Sequence, residues 1–518
     1  CLVFYLMTSS AESGRPNVLF LVIDDLRPAL GCYDYPKIFS PNIDKLASFS
    51  MKFENAHIQQ AVCGPSRTSF LTSRRPDTTR LYDFGSYWRT HAGNYTSLPQ
   101  HFKENGYFTY SIGKVFHPDE GICSNYNDDF PLSWSLPACH PPTQKYKMKQ
   151  VVCPGPDGKL HMNLLCPVNV STQPEHSLPD IQSAGHAVEM IQKLFIFQPF
   201  FLAVGFHKPH IPYKFPEQYL DLYPISEIDL APNPFIPKEL PPVAFSPYTQ
   251  MRIREDVKSL NLSFPFGPIP YDFQRKIRQH YYSSVTYMDS MVGKVLQQLE
   301  QSGFADNTII TLIGDHGRWS LGEHGDWCKY ENFEVTTRVP MLVHVPGMTD
   351  VNKGPHLNVL VEAVDLFPTL AELAQLPVPP KCPESPFKVK FCTEGASFAQ
   401  LIEYSSENHP QNYLRGIPWK SAVFSQYPRP SDYPQQNTDL PSLKDIRIMG
   451  YTMRTHHYRY TAWVSFNPVK FFANFSEVHA RELYLRDSDP LEIYNVANLK
   501  EYSNLVSKLH TRLAKGWR

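Results

Sequence analysis

The chain has 518 residues, 42% of them hydrophobic and 19% charged, with 48 prolines and a formal charge of −1 when its 20 histidines are neutral. This is a globular composition, long enough for one large domain plus a smaller one. At neutral pH it excludes a disordered chain and gives no basic surface for nucleic acid or an anionic membrane. Near pH ~5 exposed histidines would charge, and the surface would attract a polyanion.

In chain order, residues 1–7, CLVFYLM, are apolar and precede the polar TSSAESGRP. Residues 1–16 read as the remnant of a secretory signal region. No later apolar run approaches the ~20 residues of a membrane span, so a soluble chain is expected. NVLFLVIDD (17–25) has strand length and β-branched content, and SPNIDKLASFSMKF (40–53) has a helical pattern. YFTYSIGK (107–114) and PFFLAVGFH (199–207) are strand-like, with the helical AGHAVEMIQKLF (184–195) between them. Residues 210–270 are proline-rich and read as irregular. A long helical pattern follows over 273–303, then strand-like NTIITLIGDHG (307–317) and VPMLVHVPG (339–347), then the helical pattern of 361–376.

Apolar runs of this kind fit strands buried on both faces, as in a mostly parallel sheet covered by helices. Their alternation with helices predicts an α/β sandwich over residues 17–402. The polar stretch 403–416 reads as an exposed linker and a possible processing site. Three short strand-like runs and a helical end then predict a smaller α+β domain over 417–518.

Four sequons, at Asn94, Asn169, Asn261 and Asn474, fit an exported glycoprotein. Ten cysteines suit that compartment. Cys153 and Cys166 flank one Gly/Pro-bearing loop and Cys382 and Cys392 flank another, so both pairs are predicted disulfides, each worth roughly 3 kcal/mol at most. No C-x-x-C knuckle points to a zinc ribbon.

Four strand-like runs end in groups that can do chemistry: Asp24-Asp25, Lys114 with His117 close behind, His207, and Asp315-His316. In open α/β sheets, ligands bind outside the carboxyl ends of the strands. Parallel strands would gather all these groups at one edge. Asp24, Asp25 and Asp315 would repel unless a cation sat among them. With His316 added, calcium, zinc and manganese all fit the donors. The remaining motif is Cys63-Gly64-Pro65-Ser66-Arg67. Pro65 suits a first helical turn, and residues 63 and 67 can share a helix face, so the helix start and Arg67 would converge on an anion beside Cys63. A buried, inert cysteine is the plain alternative.

This motif resembles the signature of the sulfatase family, C-x-P-S-R followed by T-G-R. The second element here reads Thr72-Ser73-Arg74, with serine in place of glycine. Runs such as VIDDLRPALGCY, GKVFH, FFLAVGFHKPHIP, LGEHGDWCKY and SQYPRPSDYPQ extend the resemblance over nearly the whole chain. They point to the branch that hydrolyses the 2-sulfate of non-reducing-end L-iduronate in heparan and dermatan sulfate. An extra residue near Arg318 and a short segment at 348–362 depart from that branch.

The resemblance implies an alkaline-phosphatase-like fold and one Ca²⁺ ion on Asp24, Asp25, Cys63, Asp315 and His316. It implies that the formylglycine-generating enzyme oxidises Cys63 to formylglycine, whose hydrate is the nucleophile. Arg67 would fix its surroundings, and Lys114 and Lys329 would hold sulfate oxygens. His207, supported by Lys329, would protonate the sugar oxygen, and His117 would act as base. Arg429 and Lys444 are candidates for the uronate carboxylate. Delivery to the lysosome through the secretory pathway is implied as well. The alternatives are another glycosaminoglycan sulfatase, a phosphate ester hydrolase of the same superfamily, and a glycan-binding protein without activity.

Overall fold

The first strand, β1 (Asn17–Ile23), is buried at every position. It has two apolar faces because successive strand side chains point to opposite sides. Leu19, Leu21 and Ile23 join one core cluster; Val18, Phe20 and Val22 join another. A sheet covered on both faces follows directly. The computed structural model describes residues 14–117, 128–148, 150–194, 198–317, 321–350, 356–406 and 418–517. Most of the signal-region remnant, most of the 403–416 linker, and Arg318 lie outside the described residues.

The central sheet contains β1, β2 (Met51–His57), β3 (Phe108–Gly113), β4 (Phe200–Phe206), β5 (Thr308–Gly314), β6 (Arg338–Val339), β7 (Met341–His344) and β8 (His356–Glu362). Its order is β6-β2-β7-β5-β1-β4-β3, with β8 also beside β2. The run β5-β1-β4-β3 is parallel throughout. The sheet is therefore mostly parallel, as expected, and the fold is an α/β sandwich.

Three local expectations need correction. The run at 339–347 is split: Val339 ends β6, and Met341–His344 form β7, which is antiparallel to both β2 and β5. The helical pattern at 40–53 stops early: α1 covers Pro41–Ala47, and residues 51–53 begin β2. Met51 and Phe53 are buried while Lys52 and Glu54 are half-buried and ion-paired at 2.7 Å, which is strand periodicity. β8 pairs parallel to β2 and has no counterpart among the expected strands.

Helices α2 (Cys63–Thr72), α3 (Pro179–Lys193), α4 (Tyr271–Gln301) and α5 (Leu366–Leu373) cover the sheet. Leaving the sheet by its two faces, α3 and α4 contribute to one cluster and α2 and α5 to the other. The C-terminal part is a four-stranded antiparallel sheet, β9 (Val423–Arg429), β10 (Ile448–Arg454), β11 (Tyr458–Asn467) and β12 (Phe472–Leu485), in chain order. Helix α6 (Ser503–Lys515) packs on it through Val506, Leu509 and Leu513. The 14-residue β12 was not among the expected strands. Both expected disulfides, Cys153–Cys166 and Cys382–Cys392, are formed.

Candidate active site

The carboxyl ends of β1, β3, β4 and β5 lie side by side, and each delivers a polar group to one place. After β1, two consecutive aspartates would ordinarily diverge. Asp25 instead takes a left-handed conformation, φ 63°, and the chain turns so that both carboxylates face the same site. At the end of β3, Gly113 has φ 73°, and a Cβ there would come within 2.1 Å of the Gly205 carbonyl oxygen. A Cβ on Gly205 would meet the Lys114 carbonyl at 1.9 Å. Only this glycine pair allows β3 and β4 to approach so closely. The approach sends Lys114 to Asp24, to which its ammonium donates.

Helix α2 starts at Cys63 and is buried along its whole length. Its thiol lies 3.3 Å from Asp24 Oδ1, 3.2 Å from His316 Nε2 and 3.1 Å from Lys329 Nζ. Arg67, one turn later, donates from Nε to Asp315 Oδ2 at 2.8 Å and from Nη1 to the carbonyls of Lys114 and Val115. Its Nη2 sits 3.5 Å from Asp24. Asp315 Oδ1 accepts the backbone N–H groups of Asp25 at 3.0 Å and His316 at 2.9 Å. Its carboxylate is thus a tie between β1, β5 and α2. The potential metal donors that cluster within 4.8 Å of one another are Asp24, Asp25, Cys63 and His316. Asp315 stands directly behind them, with Oδ2 3.4 Å from His316 Nε2.

Charge in this cluster is compensated by cations. Burial by itself would raise the Asp24 pKa; Lys114, His210, Arg67 and Lys329 outweigh it and hold the carboxyl well below its usual range. Asp25 is likewise lowered against the cost of burial, chiefly by Lys329, which donates to it at 2.8 Å. Burial also opposes the charge on Lys329, but Asp25 and Cys63 raise its pKa well above the ordinary lysine value. Cys63 goes the other way: burial and then Asp24 push its thiol up to about 12. A neutral thiol is a poor nucleophile and a poor metal ligand.

Above this cluster lies a cavity of about 250 Å³ whose lining includes Asp24, Lys114, His117, His207, His210 and Lys329. His207 is fixed from behind by Asp180, at the start of α3, which accepts the His207 N–H at 2.7 Å and lies 3.2 Å from Nδ1. Its buried Nε2 has no hydrogen-bond partner among the described residues. Burial lowers the His207 pKa to about 4 despite Asp180. His117 stacks on Phe84 at 4.3 Å between ring centroids.

Two expected substrate contacts are elsewhere. Arg429 is fully buried, and its guanidinium donates to the carbonyls of Val243, at 2.9 Å, and Ala244, while stacking between Tyr427 and Trp463. It is committed to the interior and cannot meet a carboxylate in the cavity. Lys444 sits in an exposed turn, Leu443–Asp445, away from the cavity lining. Sequence reading also passed over His210, the second histidine of HKPH, whose Nε2 is 3.9 Å from Asp25 Oδ2. Phe84 and Asp180 had no signal beyond their place near a motif.

Ser73 ends α2 with φ 52°, the left-handed region in which glycine is at home. Its hydroxyl donates to the Val364 carbonyl at 2.6 Å and meets Thr393 Oγ1 at the same distance. These bonds offset the backbone cost of a side chain here. Ser73→Gly is therefore expected within about 1 kcal/mol of the wild type, and Ser73→Ala, which keeps the backbone cost without the bonds, is expected to lose about 2 kcal/mol. Equilibrium denaturation measures both, and an alanine variant as stable as the glycine one would refute the account.

The family model described as Sulfatase matches residues 16–376. The chain is 53% identical to iduronate 2-sulfatase of Mus musculus, covering 98% of this chain and 96% of that protein. It is 53% identical to iduronate 2-sulfatase of Homo sapiens, covering 95% and 93%. In fold it resembles the crystal structure of the phosphonate monoester hydrolase of Agrobacterium radiobacter, with a TM-score of 0.69 at 18% identity over 97% of this chain and 95% of that one. A match spanning both the Cys-x-Pro-Ser-Arg helix start and the aspartates it faces leaves one assignment: the chain belongs to the sulfatase family.

Proposed function

We propose that this chain hydrolyses the 2-sulfate ester of a terminal iduronate in heparan or dermatan sulfate. The carrying observation is Cys63, locked against Asp24, His316 and Lys329 in a chain 53% identical to curated iduronate 2-sulfatases over nearly its whole length. The thiol of Cys63 is held neutral, so position 63 serves as the precursor of formylglycine, made by the formylglycine-generating enzyme. Its Sγ marks where the hydrate oxygen would lie.

With an oxygen at that position, the donors become two carboxylates, one oxygen and a histidine, which fits a hard divalent cation such as calcium. Asp24, Asp25, His316 and residue 63 would hold it, with Asp315 bracing them. When bound, such an ion draws negative charge from sulfate oxygens and lowers the pKa of the hydrate. The chain's own groups do the rest. Lys114 and Lys329 present two ammonium groups to the sulfate. Arg67 fixes the ends of β3 and β5 around it. His207, its Nδ1 side held by Asp180, offers Nε2 toward the sugar oxygen, and His210 lines the same cavity from the same loop. Burial holds the His207 pKa at about 4, so Nε2 gains its proton only in acid. His117, braced on Phe84, is the base that completes turnover.

We further assign residues 17–402 to the catalytic domain and 417–518 to the smaller one. Asn94, Asn169 and Asn261 are exposed and Asn474 half-buried, which supports glycans at these sequons on the secretory route. Among the described residues no helix is long and apolar enough to cross a membrane.

The test compares sulfate release from 2-sulfated iduronate, glucosamine 6-sulfate and a phosphate ester. The first should be preferred. Preference for the phosphate ester would overturn the class, and preference for glucosamine would overturn the branch.

A further inference from the structure

The loop that carries Lys329 is gripped from behind by two carboxylates that take no part in the chemistry above. Asp326 lies three residues before Lys329, and Asp439 comes from the connection between β9 and β10; each is 1% exposed. Ser246 joins them. Its N–H donates to Asp326 Oδ2 at 3.3 Å and its hydroxyl donates to Asp439 Oδ1. Asp326 Oδ1 also accepts the N–H of Trp327 at 2.5 Å and of Cys328 at 3.0 Å. Asp439 Oδ2 accepts the N–H and hydroxyl of Thr249, both at 2.6 Å.

Among the described residues neither carboxylate forms an ion pair. The nearby cation is Arg429, whose guanidinium donates to backbone carbonyls. The other titratable groups facing the pair are Tyr248, Cys328, Tyr330 and Tyr427, with Glu331 acting on Cys328; none of them supplies positive charge. Two ionised carboxylates here would be buried and mutually repelling; one proton relieves both costs.

We propose that Asp326 and Asp439 share one proton in acid and, as positioning residues, clamp the Lys329 loop to the C-terminal part of the chain. Loss of that proton near neutrality loosens the clamp. Burial and then Asp439 push the Asp326 carboxyl up to about 6, and burial raises Asp439 as well. The folded chain therefore holds this proton to higher pH than the unfolded chain, so stability falls as pH rises from about 4 to about 6. The functional consequence rests on the reading of Lys329 as a sulfate-holding group; the clamp itself does not.

Melting temperatures of the wild type, Asp326→Asn, Asp439→Asn and the double variant at about pH 5 and about pH 7.5 test the sharing. An asparagine stays neutral at both values. Each single variant should lose less stability between them than the wild type, and the double variant should recover no more than a single one. An unchanged loss, or additive recovery, would overturn the proposal. Should an asparagine variant not fold, amide hydrogen exchange of residues 321–331 in the wild type gives the answer. After correction for intrinsic rates, opening should increase roughly tenfold from acid to neutral pH; equal opening would refute the clamp. Melting and exchange need no substrate, so this test can fail while the sulfatase reading stands, and the substrate assay can fail while the clamp holds.

Discussion

Cys63→Ala should lower kcat/KM for the sulfate ester by about 10⁴-fold or more while leaving the protein folded. The side chain lost is small, and the cavity it leaves should cost only about 1 kcal/mol. Lys114, Lys329 and Arg67 still neutralise Asp24, Asp25 and Asp315, so no carboxylate is left bare. What disappears is the atom whose position the whole cluster defines. Activity and melting temperature measured on the same preparation separate the two effects. Peptide mapping of the wild type should also show the mass change from thiol to aldehyde at residue 63. A variant retaining more than about one hundredth of the activity would show that position 63 is not the nucleophile.

Arg67→Met should be the reverse case, a loss of stability first. Arg67 is fully buried and joins Asp315, the carbonyls of Lys114 and Val115, and the edge of Asp24. Methionine fills much of the volume but removes the charge and three donors. Leaving a buried carboxylate without its partner costs about 3–5 kcal/mol. Arg67→Lys should not rescue it, since one ammonium cannot reproduce a fork that reaches carboxylate and carbonyls together. The sign with pH follows from Asp24. Its pKa is depressed in the folded chain, so the stabilisation exists above the unfolded value and fades as pH falls below about 4. The penalty for Arg67→Met should therefore be larger near neutrality than in acid. Denaturant unfolding at both pH values measures it, and a penalty independent of pH would show that Arg67 acts by packing alone.

The parts of this molecule that sequence revealed are those whose physics is local. β1, β4 and β5 are buried along their whole length and β3 nearly so, because both faces are covered, and each carries its functional group at its own end. The Cys63–Arg67 spacing is a property of one helical turn. β2 was hidden because MKFENAH alternates buried and half-buried residues right after a helix, and no residue-level signal marks the stop at Ala47. The role of Arg429 is not legible in sequence, because a cation near a motif looks the same whether it meets a ligand or, as here, backbone carbonyls. His207 and His210 are separated by two residues, and only the position of Asp180 in space shows which of them is braced.

The shell around residue 63 also sets a timetable. His316 and Lys329, which touch its sulfur, are made more than 250 residues after it, yet the finished protein leaves that sulfur with no exposed surface. An enzyme that oxidised this residue, as proposed above, would have to reach it before the later half of the chain docks. That window would close when β5 slots in beside β1, leaving an unmodified thiol sealed inside.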